Sequence, residues 1–205
     1  MFYWLVKILF WPLGRAYLGL KVVGKVPRRG PFILAANHCS WLDPVVLGSA
    51  CARPVRFLIS RRLYDRRAQR WFYRWMRTIP VRDSGEADHG AVRQALRALR
   101  RGQIVGIFPE GVGLDSGGRL RSPRPGAALI AALAEVPIVP AAIDGTHEAM
   151  PKGRLWPRPG RVVVTFGEPF MIGQGQSGGR RNRREGGAEE MMRRISTLMQ
   201  RQERA

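Results

Sequence analysis

The sequence has few cysteines, few lysines and no long uninterrupted hydrophobic run. Its two cysteines, Cys39 and Cys51, give neither a disulfide framework nor the spacing of a metal site. The apolar run at residues 1–13 is shorter than the ~20 residues that span a bilayer, and it lacks the basic start and cleavage site of a signal peptide. The chain also has no internal repeat, P-loop or dinucleotide-binding glycine pattern. A disulfide scaffold, a zinc-type site and a nucleotide-binding loop are therefore excluded.

The charge of the chain is strongly positive, and arginine carries almost all of it. The 205 residues include 35 lysines and arginines against 15 acidic residues, a formal net charge of +20, and only four of the cations are lysine. The guanidinium group suits planar, bidentate recognition of phosphate. This balance predicts anionic partners, which could be nucleic acid, an acidic lipid surface or a phosphorylated substrate. A hydrophobic content of 45% is typical of a globular protein.

One histidine and one aspartate form the clearest candidate for chemistry. The apolar run at residues 32–36 predicts a buried strand, His38 follows it, and Asp43 precedes Pro44. An imidazole titrates near neutral pH, so His38 could take the proton of an attacking hydroxyl. A carboxylate on the other ring nitrogen would fix its tautomer. The alternative is that Asp43 caps a helix in which Pro44 is an early residue, and the two interpretations are compatible.

The remaining pattern alternates apolar strands with helices. Strands are predicted at residues 21–26, 32–36, 55–59, 78–82, 103–108, 137–143 and 161–166, and helices at 44–52, 91–101, 126–135 and 188–202. Such alternation favours a single α/β domain with a mostly parallel central sheet flanked by helices. Ligand sites in these sheets gather at the carboxyl ends of the strands, where His38 and Glu110 both fall.

Two segments indicate contact with a membrane. Residues 1–13 are apolar and rich in aromatic side chains, which predicts an N-terminal helix lying in one leaflet; packing on the core is the alternative. Residues 61–77 predict a basic amphipathic helix, either at a membrane or anion site or with an ordinary solvated side. The predicted organisation is an interfacial helix and lead-in at 1–30, a catalytic α/β domain at 31–170, and a flexible Gly/Arg-rich linker with a C-terminal helix at 171–205.

Four short blocks follow one another in the first three quarters of the chain. They are Asn37-His38-x-x-x-x-Asp43, residues 78–82 (Thr-Ile-Pro-Val-Arg), residues 108–111 (Phe-Pro-Glu-Gly) and residues 136–140 (Val-Pro-Ile-Val-Pro). In type and order they resemble the signatures of the glycerolipid acyltransferase family, the 1-acylglycerol-3-phosphate (lysophosphatidate) acyltransferases. One block alone is a weak signal, but four in order are a specific one.

The resemblance implies an O-acyltransferase and assigns roles to individual residues. His38 would be the general base that deprotonates the free hydroxyl of a lysophospholipid acceptor, and Asp43 would orient it. The implied substrate-binding residues are Asn37, Arg82, Glu110, Gly111 and Arg124. Acyl-CoA or acyl carrier protein would be the co-substrate, with no metal, no resident cofactor and no role for Cys39.

The same resemblance implies a place for the reaction. The product would be phosphatidic acid, made from 1-acylglycerol-3-phosphate in phospholipid biosynthesis. The enzyme would be a peripheral, monotopic protein on the cytoplasmic face of a membrane, with an anionic membrane surface as a partner. Nucleic acid is not expected as a partner.

The third block departs from the family pattern. The family usually continues Phe-Pro-Glu-Gly with Thr-Arg, whereas this chain has Val112 and Gly113. Losing one charge-assisted phosphate contact costs about 1.5–3 kcal/mol, which is roughly one to two orders of magnitude in affinity. One explanation is that another arginine replaces the missing one; Arg124 is the preferred candidate, and Arg119 and Arg121 are the others. The alternative is a different acceptor, which could be glycerol-3-phosphate, a lyso-aminolipid or a glycolipid precursor. A basic nucleic-acid-binding module is a distant alternative, because it gives no reason for the four blocks.

Overall fold

A seven-stranded sheet organises the part of the chain that the structure describes. The computed structural model describes residues 2–83, 87–111, 120–151, 153–154, 156–172 and 180–203. The strands are β1 (Lys21–Val23), β2 (Phe32–Ala36), β3 (Val55–Ser60), β4 (Ile79–Val81), β5 (Ile104–Ile107), β6 (Ile138–Asp144) and β7 (Val163–Phe166). The helices are α1 (Phe2–Tyr17), α2 (Asp43–Ala50), α3 (Arg61–Tyr64), α4 (Arg67–Trp75), α5 (His89–Arg100), α6 (Pro125–Ala134), α7 (Thr146–Ala149) and α8 (Arg180–Glu203).

The sheet is mostly parallel, with the strand order β1-β7-β6-β2-β5-β3-β4. Only the β6–β7 pair is antiparallel among the described strands. The central strand β2 lies between β6 and β5, and all five of its residues are buried. A parallel strand covered on both faces needs such a continuous apolar run. The predicted α/β class with a mostly parallel sheet is therefore confirmed.

Helices cover both faces of this sheet. Successive residues of β2 point to opposite faces, so Phe32 and Leu34 pack with α2 in one core, whereas Ile33 and Ala35 belong to the other. Helices α5, α6 and α8 supply the second core. The two cores hold the carboxyl ends of β2, β5 and β6 side by side, and the candidate site lies at that edge.

Segments outside the predicted catalytic domain take part in the same fold. Strand β1 pairs with β7, and α8 packs against α6 and β6. Helix α8 begins at Arg180, inside the segment predicted to be a linker. A Cβ on Gly187 would lie 2.7 Å from the side chain of Ile172, so glycine allows a close approach of helix and chain. Tertiary packing thus stabilises a helix in which the adjacent Gly186 and Gly187 are unfavourable.

Helix α1 is longer than the predicted N-terminal helix, and part of it packs on the domain. Trp11 contacts the core on the α2 face, and Leu18 and Leu20 are buried in that core just beyond the helix. Ile8 and Phe10 are exposed. Among the described residues, no helix combines the length and apolar character needed to cross a membrane. That α1 lies in one leaflet stays a prediction.

The basic segment at 61–77 forms two helices in place of one. Helix α3 ends at Tyr64, and Arg66 has an extended backbone with φ −63° and ψ 116°. This residue breaks the helical hydrogen bonding before α4 begins at Arg67. The break separates the arginines that follow β3 from those of α4.

Candidate active site

His38 and Asp43 meet directly at the carboxyl end of β2. The His38 Nδ1 atom lies 2.8 Å from Asp43 Oδ2; Asp43 is fully buried, whereas 15% of the His38 side chain is exposed. An ionised carboxylate only accepts hydrogen bonds, so the contact places a proton on Nδ1 of the neutral ring. Nε2 then carries the lone pair, which is the arrangement that a general base requires.

Asp43 is not the N-cap of α2. The helix begins at Asp43 itself, Leu42 occupies the cap position, and no side-chain capping bond forms there. Instead, Asp43 Oδ2 accepts from the backbone N–H groups of Cys39 and Ser40 at 2.7 and 2.8 Å. The loop between His38 and Asp43 therefore turns around the carboxylate, which closes the gap between the two side chains. The capping alternative was wrong.

Thr146 holds the other oxygen of this carboxylate. Its hydroxyl donates to Asp43 Oδ1 at 2.5 Å, and the residue is fully buried. Thr146 starts α7 after Gly145, whose φ is 79° and whose position would bring a Cβ into the Arg161 carbonyl oxygen. Sequence reasoning missed Thr146; a Gly-Thr pair directly after the fourth block's strand is the signal that could have found it.

An aromatic ring fixes the plane of the imidazole. The Phe108 ring stacks on His38 with 4.2 Å between centroids and 21° between planes. Phe108 in turn stacks on Phe57, with centroids 5.8 Å apart. The first residue of the third block thus supports His38 from just beyond β5, the strand adjacent to β2. This contact is a second one that sequence reasoning missed.

Glu110 joins two segments of backbone around His38. Its Oε1 accepts from the N–H of His38 at 3.2 Å, and its Oε2 accepts from the N–H of Arg121 at 3.0 Å. Burial raises the pKa of the Glu110 carboxyl, and these backbone hydrogen bonds act against that rise. The structure therefore brings Glu110 to the site, where it braces the loop that carries His38. Direct contact between Glu110 and substrate stays a prediction.

Arg124 reaches back to the third block. Its N–H donates to the Pro109 carbonyl at 2.7 Å. A Cβ on Gly111, whose φ is 79°, would lie 2.5 Å from Arg124 Nε and 2.6 Å from its Cγ, so the arginine side chain passes over this glycine. That Arg124 replaces the missing arginine stays a prediction. Residues 112–119, which include Gly113 and Arg119, lie outside the described residues.

Asn37 ties β2 to β6. Its amide Nδ2 donates to the Ile143 carbonyl and its Oδ1 accepts from the Ile143 N–H, both at 2.8 Å. The side chain is buried. These bonds fix the spacing of the strands from which His38 and Thr146 extend, so Asn37 positions the site. Its predicted contact with substrate stays a prediction.

Arg82 lies apart from the histidine, in a cleft rich in arginine. Three strand steps separate β4 from β2, or about 14 Å at ~4.8 Å per step. The Arg82 side chain is 64% exposed, with Nε 3.3 Å from Asp88 Oδ2. The cleft has a volume of about 420 Å³ and is lined by Arg61, Arg62, Asp65, Arg82 and Asp83. Arg61 and Arg62 follow β3 directly and belong to the basic segment 61–77, for which a membrane or anion site was one of the two predicted alternatives.

Residues 19–144 match the family model described as Acyltransferase, which is more than half of the 205 residues. The chain belongs to the acyltransferase family. It is 27% identical over 155 residues to a 1-acyl-sn-glycerol-3-phosphate acyltransferase of Bacillus subtilis, covering 74% of each chain. It is 31% identical over 151 residues to a lyso-ornithine lipid O-acyltransferase of Pseudomonas aeruginosa, covering 71% of this chain and 56% of that protein.

A solved structure shares the architecture. The 1-acyl-sn-glycerophosphate (LPA) acyltransferase PlsC from Thermotoga maritima superposes with a TM-score of 0.68 at 27% identity. The match covers 93% of this chain and 79% of that one. The likeness extends beyond the family-model region and includes most of the described α/β domain.

Cys39, next to His38 in this acyltransferase, is not poised as a nucleophile. Burial, followed by the nearby Asp43 carboxylate, raises the pKa of its thiol to about 12. A thiol with that pKa stays protonated at neutral pH. In the described part of the chain, no cluster of three His, Cys, Asp or Glu side chains could hold a metal ion.

Proposed function

We propose that this acyltransferase moves a fatty acyl group from acyl-CoA or acyl carrier protein to the free hydroxyl of 1-acylglycerol-3-phosphate, giving phosphatidic acid. The observation that carries the proposal is the contact between His38 Nδ1 and the buried Asp43 carboxylate. Family membership supports the reaction class, and the name of the Bacillus subtilis relative supports the acceptor.

His38 acts as the general base in the proposed reaction. Its Nε2 takes the proton of the acceptor hydroxyl while the oxygen attacks the thioester carbonyl carbon. Asp43 stabilises the imidazolium that forms, because the Nδ1–H bond becomes charge-assisted on both sides. The tetrahedral intermediate then expels the thiolate, which takes the proton from Nε2 and leaves as a thiol. An ester bond has formed, a thioester bond has broken, and the histidine is neutral again.

The acceptor phosphate is proposed to bind in the arginine cleft. Arg61, Arg62 and Arg82 converge there, and guanidinium groups suit a phosphomonoester. Arg124 lies over Gly111, beyond the end of β5. Together these arginines offer two cationic positions for an acceptor even though residue 113 is glycine. Glu110, Gly111 and Asn37 complete the proposed acceptor site.

A lyso-aminolipid is the second candidate acceptor. The Pseudomonas aeruginosa relative is named for a lyso-ornithine lipid, and the family arginine at position 113 is missing in this chain. Glycerol-3-phosphate and glycolipid precursors remain further alternatives on the same chemistry. The proposed location is the cytoplasmic face of a membrane, with the protein bound peripherally.

Acyl transfer with purified protein tests the acceptor. Lysophosphatidic acid, a lyso-aminolipid and a phosphate-free lysolipid are compared, each with acyl-CoA and acyl carrier protein donors. Arg82→Ala should raise the KM for lysophosphatidic acid about 10–100-fold, the cost of one charge-assisted contact, and leave the donor KM unchanged. Arg97→Ala, which removes an exposed arginine of α5, is the control. Unchanged acceptor kinetics in Arg82→Ala, together with faster turnover of the phosphate-free lysolipid, would contradict the phosphatidic acid assignment.

A further inference from the structure

Helix α4 exposes two large aromatic side chains that the acyl-transfer chemistry does not use. None of its nine residues is buried. Trp71 and Trp75 are 55% and 58% exposed, and their rings meet edge to face with 6.1 Å between centroids. Exposed aromatic surface bordered by charged residues marks an interaction surface.

Arginines form a stripe beside the two tryptophans. The three exposed arginines of α4 are Arg67, Arg70 and Arg74. Their spacing of three and four residues places them along one side of the helix. Trp71 and Trp75, four residues apart, form the neighbouring stripe for the same reason. Across residues 61–77, seven arginines accompany a single acidic residue, so the surface is strongly cationic.

The chain enters this surface from the end of the sheet that holds the site. Strand β3 ends at Ser60, and α3 begins at the next residue. After α4 the chain returns to the sheet at Arg77, whose carbonyl accepts a hydrogen bond from Arg56 Nε at 2.7 Å, before β4 pairs with Leu58–Ser60. Arg61 and Arg62, at the start of α3, also line the arginine cleft.

We propose that α4 docks the enzyme on an anionic lipid bilayer. Each arginine near an anionic leaflet strengthens binding about fivefold, and tryptophan prefers the level of the lipid headgroups. An acidic carrier protein would match the arginines alone, whereas exposed tryptophans beside them favour a lipid surface. The inference rests on the proposed function for its lipid substrate. It adds a second, charge-dependent contact to the apolar one predicted for α1.

Co-sedimentation of the full chain with vesicles tests this surface separately from catalysis. The vesicles contain phosphatidylcholine alone or an equimolar mixture with phosphatidylglycerol. The first variant combines Arg67→Gln, Arg70→Gln and Arg74→Gln, and its matched control combines Arg93→Gln, Arg97→Gln and Arg100→Gln on exposed positions of α5. The α4 variant should bind the mixed vesicles about 100-fold more weakly than the unmodified chain, and the effect should shrink at high salt. The α5 variant should lose far less.

A second pair of variants tests the aromatic stripe. Trp71→Gln with Trp75→Gln should lower binding to both kinds of vesicle, because the headgroup contact does not need anionic lipid. Trp156→Gln removes another highly exposed tryptophan and should bind normally. Normal vesicle binding by the Trp71 and Trp75 double variant would overturn the proposed orientation of α4.

Three other results would overturn the proposal. Equal losses in the α4 and α5 arginine variants would indicate general charge attraction and no specific surface. Unchanged vesicle binding by the α4 arginine variant would show that the arginines of α4 do not bind the bilayer. Unchanged vesicle binding with a raised KM for acyl carrier protein would assign α4 to that protein. As a control for catalysis, the α4 arginine variant should turn over a water-soluble short-chain lysolipid at the normal rate. A separate outcome concerns the proposed function alone. If the unmodified chain acylates no acceptor, the proposed function is contradicted, whereas the vesicle-binding result stands.

Discussion

Replacing Thr146 by valine should slow acyl transfer without disturbing substrate binding. The change keeps the shape of the buried side chain and removes the hydroxyl that donates to Asp43 Oδ1 at 2.5 Å. A hydrogen bond to a charged group contributes about 1.5–3 kcal/mol. Asp43 keeps its bonds to Cys39, Ser40 and His38, so the loss should lie near the lower end of that range. This corresponds to about a tenfold fall in kcat.

The assay measures kcat and the acceptor KM for Thr146→Val, Thr146→Ser and the unmodified chain. We expect KM to stay constant, because Thr146 acts through Asp43 and does not contact the acceptor. Thr146→Ser keeps the hydroxyl and should restore most of kcat. The valine variant should also unfold at a temperature about 3–6 °C lower, from a loss of ~1.5 kcal/mol in a chain of this size. Normal kcat in a folded Thr146→Val variant, or no rescue by serine, would refute the reasoning.

Two further predictions concern a glycine and a carboxylate. Gly111→Ala should lower the free energy of unfolding by about 1–2 kcal/mol, because alanine is strained at the positive φ of this position. It should also raise the acceptor KM, because a Cβ there displaces Arg124. The control is Gly102→Ala, at φ 73° with open space around it, which should lose only stability. Thermal unfolding and kinetics of both variants check this, and equal acceptor KM values would contradict it. Hydrogen bonds from Arg193 and Arg194 lower the pKa of Glu190 to about 2 from 4.5, so its stabilising effect is present above pH 4.5 and is lost as the pH falls towards 2. In Glu190→Gln the free energy of unfolding should change less over that pH range, whereas Glu189→Gln should behave like the unmodified chain. An unchanged pH dependence in Glu190→Gln would show that the bonds from Arg193 and Arg194 to Glu190 do not contribute to stability.

The positions of His38 and Glu110 could be predicted because both follow short apolar strands. Parallel strands end at a common edge, so two strand-end residues were expected to meet there. The structure places them just beyond the ends of the adjacent strands β2 and β5, where the His38 N–H donates to the Glu110 side chain. The His38–Asp43 contact depended on a turn in the intervening loop. Spacing alone left that turn undecided, because Asp43 before Pro44 fits a helix cap equally well.

Hydrophobic periodicity did not identify Thr146 and Phe108 as partners of His38 and Asp43. Thr146 is more than 100 residues from Asp43 in sequence, and its hydroxyl reaches the carboxylate only because β6 pairs with β2. Register between distant strands is a tertiary property that hydrophobic periodicity does not encode. The antiparallel pairing of β7 was unpredicted for the same reason.

The start of α8 shows a different limit. Its first residues continue a Gly/Arg-rich composition, which was interpreted as a flexible linker although arginine itself favours helix. Contacts with α6 and β6 outweigh that preference, and Gly187 fits against Ile172 where a larger residue would collide. Composition describes what a segment does alone, whereas packing decides what it does in the domain.

The most direct test of the proposed chemistry is turnover by His38→Ala. In this variant kcat should fall about 10²–10⁴-fold, the usual contribution of a general base. The protein should stay folded, because the imidazole is partly exposed and Asp43 keeps its bonds to Cys39, Ser40 and Thr146. Circular dichroism and thermal unfolding establish the fold of the variant before its kinetics are compared. Near-normal acyl transfer by a folded His38→Ala variant would contradict the account.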